Sequence, residues 1–174
     1  MKKIFYISIL CLFKFNFAYS LIEVDITRGN LDPLPIAVSP LHVDTKSDNY
    51  QDVKVKELGD LISLVVEKNF KSTGLFNPLN KDAFVQKPDI AHLKPRFEDW
   101  SLITAQALVT GKILIKDEKL KIEFRLWDVA ANKEMIALAF TTTPSNWRRV
   151  AHIISDKIYE RLTGETGYFD TRII

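Results

Sequence analysis

Cysteine is almost missing from this chain: its 174 residues include one, Cys11, in the middle of an amino-terminal apolar run. The rest of the sequence can therefore form neither a disulfide nor a thiolate metal site, and its fold must rest on burial of apolar surface. Glycine is also scarce. The six residues, at 29, 59, 74, 111, 164 and 167, never fall into GxGxxG or a Walker pattern, so no loop for cradling phosphates is present. Histidine occurs three times, at 42, 92 and 152, without HExxH or i, i+3 or i+4 spacing, which leaves no metal or general-base signature. There is no GxSxG, and Ser39-Pro40 would lack the backbone N–H that an oxyanion hole requires. Glu98-Asp99 are adjacent carboxylates in a loop, a placement that faces water rather than a shared substrate. Past residue 20, no apolar run approaches the roughly 20 residues needed to cross a bilayer.

A strong charge of one sign is lacking too. The 24 basic and 22 acidic residues leave a net +2, and even this small excess sits at the amino-terminal end. Met1-Lys2-Lys3 is a short positive region, Ile4 to Phe17 is an apolar run, and Ala18 and Ser20 stand at the −3 and −1 positions of a cleavage site. This is the layout of a secretory signal peptide. Cleavage after Ser20 removes three lysines and no acid, leaving 21 basic against 22 acidic residues, a net −1. Neither nucleic acid nor an anionic membrane surface is implied by that balance. The expectation is one soluble, exported domain that is periplasmic after cleavage.

The new terminus would present Leu21-Ile22-Glu23-Val24-Asp25-Ile26, where Ile22, Val24 and Ile26 alternate with acids as in a half-buried strand. Pro35 and Pro40 confine the next strand to roughly Ile36–Ser39. Residues 42–52 read as a polar loop. Leu58, Leu61, Ile62, Val65, Val66 and Phe70 then make one helical face, ended by Gly74, with Glu67 and Lys71 as an i, i+4 pair. Asn80 is positioned to cap a short turn at 81–84, and 86–99 read as surface loop with a brief helical turn near 97–103. Three alternating segments follow at 107–115, 120–127 and 134–142, a meander with one face on the core and one in water. A second helix carries Trp147, Val150, Ala151, Ile154, Ile158 and Leu162, with Ser145 as its cap and Gly164 at its end. The simple joint solution packs both helices on the same face of the sheet. His152 falls beside the second helix's apolar stripe and reads as a surface or interface residue. Trp127 and Trp147 read as core or edge cover, and Trp100 as the freest tryptophan. Lys112, Lys116, Lys119, Lys121 and Arg125 are interspersed with Glu118 and Glu123, which describes a solvated sheet face.

Several of these stretches also carry a resemblance. Ile22-Glu23-Val24-Asp25-Ile26, Leu34-Pro35-Ile36-Ala37-Val38-Ser39-Pro40-Leu41 and Ser72-Thr73-Gly74-Leu75-Phe76-Asn77-Pro78-Leu79 contribute to it. So do the strand with Val109-Thr110-Gly111 and the run from Arg161 through Thr163-Gly164-Glu165-Thr166-Gly167 to Ile173. In order and spacing they resemble the amino-terminal domain of the TolB family, periplasmic proteins of the Gram-negative Tol-Pal system. The resemblance implies an α/β fold: a mixed, mostly antiparallel sheet of about five strands with two long helices on one face. It implies a signal peptide at 1–20, the α/β domain at 21–164, and at 165–174 the linker and first strand of a six-bladed propeller that the sequence does not include. No enzymatic activity and no cofactor are implied. The expected partner is TolA, engaged through the mature amino terminus, which carries over to Leu21, Ile22, Glu23, Val24, Asp25, Ile26, Thr27 and Arg28. The family's lipoprotein partner Pal is bound mainly through the propeller, so the resemblance supports a Pal contact less directly. The expected role is in outer-membrane integrity and envelope invagination at cell division. Two other readings stay open: an inactive or split-gene fragment that needs a separate propeller, and an exported hydrolase or ligand-binding protein.

Overall fold

The computed structural model describes residues 21–24, 32–44, 55 and 57–171. Residues 1–20, with the expected cleavage positions Ala18 and Ser20, lie outside the described residues, as do Asp25, Ile26, Thr27 and Arg28.

The three long alternations form the larger part of the sheet. β4 (Ala107–Lys116), β5 (Lys119–Asp128) and β6 (Lys133–Thr142) make an antiparallel meander. Leu120, Ile122, Phe124 and Leu126 are buried on one side of β5, whereas Lys121 is exposed and Glu123 and Arg125 are half-exposed on the other. The β4–β5 turn is Asp117-Glu118, both at positive φ (50° and 60°), the pair of left-handed residues that lets a two-residue hairpin follow the strand twist.

Three short strands complete the sheet in parallel. β1 (Leu34–Val38) lies between β4 and β3 (Phe76–Pro78), and β2 (His42–Asp44) runs along the same edge of β4. The order is β3-β1-β4-β5-β6, with β2 on β4. The sheet is thus mixed, with six strands, and its long pairings are antiparallel. Pro35 stands inside β1 rather than before it. Its carbonyl accepts from Gln106 N–H (2.9 Å), just ahead of the start of β4, so its missing N–H faces a level where the ladder has not yet begun. β2 replaces the beginning of the expected polar loop.

Two long helices, α1 (Leu58–Thr73) and α4 (Trp147–Thr163), cover one face of the sheet. Ile62, Val66 and Phe70 from α1 meet Ile154, Ile158 and Leu162 from α4 over Ile36, Val109, Ile122 and Phe124. Gly74 and Gly164 end the helices in the left-handed region at φ 71° and 75°, which glycine enters without a Cβ penalty. Two local expectations are corrected. The α4 N-cap position belongs to Asn146, because a 3₁₀ turn at Pro144–Asn146 displaces Ser145 from it. Glu67 pairs with Lys81 (3.1 Å), supplied by the 3₁₀ turn Lys81–Ala83, rather than with Lys71.

The opposite face is covered at one end. The segment 79–105, with α2 (Pro88–Ala91) and α3 (Phe97–Leu102), crosses the start of β4 and brings Ala91, Trp100 and Ala105 against Ala37, Leu108 and Val129. Trp100, expected to be the freest of the three tryptophans, is 1% exposed. Gln86 organises this cover: its Oε1 accepts from Arg96 N–H (2.9 Å) and Trp100 Nε1–H (3.1 Å), and its Nε2 donates to the Lys94 carbonyl (2.9 Å). The far end remains a solvated face, where Glu123 lies 3.4 Å from Lys112 and 2.8 Å from Lys121.

Candidate interaction site at the amino-terminal segment

Residues 21–24 are not a strand of the sheet, contrary to their period-two pattern. They lie in coil, yet the alternation survives as orientation: Val24 is buried, Ile22 packs on the helix-side core, and Glu23 is exposed. Two backbone hydrogen bonds tie Val24 and Ile22 to the rest of the domain. The Val24 N–H donates to the Leu162 carbonyl (2.6 Å), one of the last four carbonyls of α4 that have no partner within the helix. The Ile22 N–H donates to Asp128 Oδ2 (3.1 Å). Asp128 ends β5 and is 1% exposed, and its other oxygen accepts from Ala131 N–H (2.8 Å) in the following turn. A carboxylate shared between two backbone donors is a defined anchor in a buried place.

The balance of this docking is narrow. Burial of Val24 contributes about 1.5–3 kcal/mol and the partial cover of Ile22 about 1. Each backbone hydrogen bond adds about 0.5–1.5 kcal/mol. Ordering the backbone costs about 1–2 kcal/mol per residue, roughly 4–8 for residues 21–24. Before any contribution from Leu21, these gains come to roughly 3–7 kcal/mol, the same order as that cost. Among the described residues of the segment, 21–24, none belongs to a sheet ladder.

The other end of the described chain lies on the same helix. Asp156 accepts from the N–H groups of Phe169 (2.7 Å) and Asp170 (3.1 Å), and Arg149 Nε lies 3.2 Å from the Asp170 carboxylate. Phe169 and Tyr168 pack edge-on against Tyr159, with ring centroids 5.9 and 5.6 Å away. Gly167 fits where it does because any Cβ would collide with Asp156 Cα. Residues 168–171 therefore find their apolar neighbour within this chain, on α4. Leu162 and Asp156, which anchor the two ends, are six residues apart, about 9 Å along the helix axis.

The remaining candidates resolve into structural contacts. His152 sits between the long helices, where its Nδ1 accepts from Asn69 Nδ2 (3.0 Å), and the same amide nitrogen donates to Ser155 Oγ (2.8 Å). Ser39 is buried, with its hydroxyl on the Pro40 carbonyl. Asp99 pairs with Arg96 (2.6 Å) while Glu98 faces solvent. Trp127 Nε1 donates to Thr110 Oγ1 (2.9 Å), and Arg148 lies over the Trp147 ring at 4.6 Å. Among the described residues, no three histidine, aspartate or glutamate side chains gather as a metal site, and no helix is long and apolar enough to cross a membrane. Of the expected partner-binding residues, Leu21, Ile22, Glu23 and Val24 are brought together, and Asp25 to Arg28 lie outside the described residues. Their anchors, Asp128 and the Leu162 carbonyl, have no signal in the sequence beyond an aspartate at a strand end and the end of a helix.

Comparison with known proteins agrees with this architecture. Residues 22–135 match the family model described as the TolB amino-terminal domain. The chain is 70% identical over 159 residues to the Tol-Pal system protein TolB of Pelagibacter ubique, covering 90% of this chain and 36% of that protein. The crystal structure of TolB from Acinetobacter baumannii shares the fold at a TM-score of 0.62, with 21% identity over 86% of this chain and 33% of that one. The chain thus spans about a third of the length of these relatives.

Proposed function

This chain belongs to the TolB family through its amino-terminal domain, and from that premise we propose that it is a binding module of the Tol-Pal system rather than an enzyme. It acts in the periplasm after loss of the leader, with no cofactor, in the machinery that keeps the outer membrane joined to the envelope during division. Its partner is TolA, and the contact is the segment Leu21, Ile22, Glu23, Val24, Asp25, Ile26, Thr27 and Arg28.

The observation that carries this reading is the way residues 21–24 are held. They lie outside the sheet, with Val24 tied to the end of α4 and Ile22 to Asp128 by backbone hydrogen bonds. Release exposes a ribbon with alternating apolar and acidic side chains. Such a ribbon can add to the edge of a partner's sheet, where backbone hydrogen bonds give affinity and the alternate side chains give specificity. The released ribbon loses its freedom again on binding, so the expected affinity is modest. Pal, which the family engages mainly through a propeller, is supported less directly than TolA for this domain.

Calorimetric titration with the carboxy-terminal domain of TolA tests this. The chain beginning at Leu21 binds, and one beginning at Leu31 loses at least about tenfold in affinity, a change of about 1.4 kcal/mol. Equal binding by both overturns the assignment of the site. A hydrolase would be indifferent to the truncation and would turn over substrate in both forms.

A further inference from the structure

On the reverse face, two of the three histidines meet. His42, the first residue of β2, and His92, at the C-cap of α2, stack with ring centroids 4.6 Å apart and planes within 5°. His92 Nδ1 lies 2.9 Å from the Pro88 carbonyl, which can only accept, so Nδ1 carries the hydrogen of this contact. The stack ties the segment 79–105 to β2, and His42 is half-buried within it.

The charged neighbours come from every side. Asp44 on β2 and Asp89 on α2 favour a charged His42, while His92 itself and Lys112 of β4 oppose it. Asp60 of α1 and Lys87 line the cleft beside His42, Glu123 and Arg125 of β5 line the one beside His92, and Arg125 reaches the His92 carbonyl at 3.5 Å. Burial, and next the His92 ring, hold His42 below the usual histidine range. The unfolded chain therefore takes up this proton more readily as pH falls. The stabilising effect of the neutral ring is complete above about 6.5 and is lost as pH falls from there through the folded value.

We propose that the His42–His92 stack is an acid-sensitive latch: uncharged rings hold the segment 79–105 on the reverse face, and protonation parts them and loosens that segment alone. Two neutral imidazoles attract face to face, whereas a charge on His42 has to be held in a half-buried place beside Lys112. The response stays local because the reverse-face core of Ala37, Ala91, Trp100, Ala105, Leu108 and Val129 is separate from the core under α1 and α4. An exported chain meets the pH of its surroundings more directly than a cytosolic one does, which gives such a latch a signal to read. The inference is independent of the amino-terminal site.

Amide hydrogen exchange on the full chain at about pH 7.5 and about pH 5, corrected for the intrinsic rate, tests it. The amides of Ala91, Leu93 and Ala105 are expected to lose at least about tenfold in protection at the lower pH, with Ile122 and Phe124 of β5 unchanged. In His42→Phe, which keeps a stacked ring without a titratable nitrogen, that loss disappears. An equal loss in His42→Phe, no loss in the parent, or a loss shared by β5 overturns the latch. Imidazole titration by NMR is a second readout on the unaltered chain, and a His42 that titrates at about 6.5 overturns it as well.

Discussion

Glu67 and Lys81 lie 3.1 Å apart, and Lys81 also donates to Ser63 Oγ at 2.8 Å. Burial pushes the Glu67 carboxyl up even though the lysine's hydrogen bond and charge pull it down. A raised carboxyl contributes stability that is full below its unfolded value, near 4.5, and is lost as pH rises through the folded value. Glu67→Gln is therefore expected to be neutral or stabilising by up to about 1 kcal/mol at pH 7, and to match the parent near pH 4. Urea midpoints at the two pH values check this, and a loss above about 2 kcal/mol at pH 7 contradicts it. The sequence pairs Glu67 with Lys71 because i, i+4 spacing is visible in a string. Lys81 reaches it only once the chain has turned at Gly74 and passed through β3. Gly59 hides its role in the same way: a Cβ there would collide with the Leu41 carbonyl, a contact between α1 and the approach to β2.

At the scale of elements, what the string shows well is what repeats. β4, β5 and β6 are legible within about a residue because alternation over ten positions marks a one-sided strand, and α1 and α4 because their apolar stripes keep helical spacing. β2 and β3 are three residues each and owe their conformation to parallel pairing with distant strands, which no local pattern encodes. The cover over the reverse face escaped for a related reason. Its composition is that of a loop, and Trp100 becomes a core residue through distant neighbours, Ala37, Leu108 and Val129, and through a hydrogen bond to Gln86, fourteen positions earlier. Gln86→Leu tests that dependence. It keeps the bulk but leaves the buried Trp100 Nε1–H and Arg96 N–H without an acceptor, so a loss of about 1–3 kcal/mol is expected in urea unfolding. A change within about 0.5 kcal/mol contradicts the hub role.

For the whole molecule, the fold is a stable plate with lightly attached ends. The helix-side core joins α1, α4 and all six strands, whereas the first described residues touch it through Ile22 and Val24 and the last through Phe169. The period-two pattern in residues 21–24 correctly marks which side chains turn inward. It misplaces the backbone, since the same alternation suits a strand within the sheet and a ribbon laid against the end of a helix. The partners that decide between these, Asp128 and the Leu162 carbonyl, lie more than a hundred residues away in sequence.

Ease of release is the property on which the binding role depends, and native-state hydrogen exchange reads it directly. The Val24 amide is expected to exchange at least about 100-fold faster than those of Phe124 and Ile154, by an opening insensitive to low denaturant, as a local detachment would be. A Val24 amide that exchanges only with global unfolding, at the same free energy as Phe124, would show the segment to be an integral part of the core and would contradict the account.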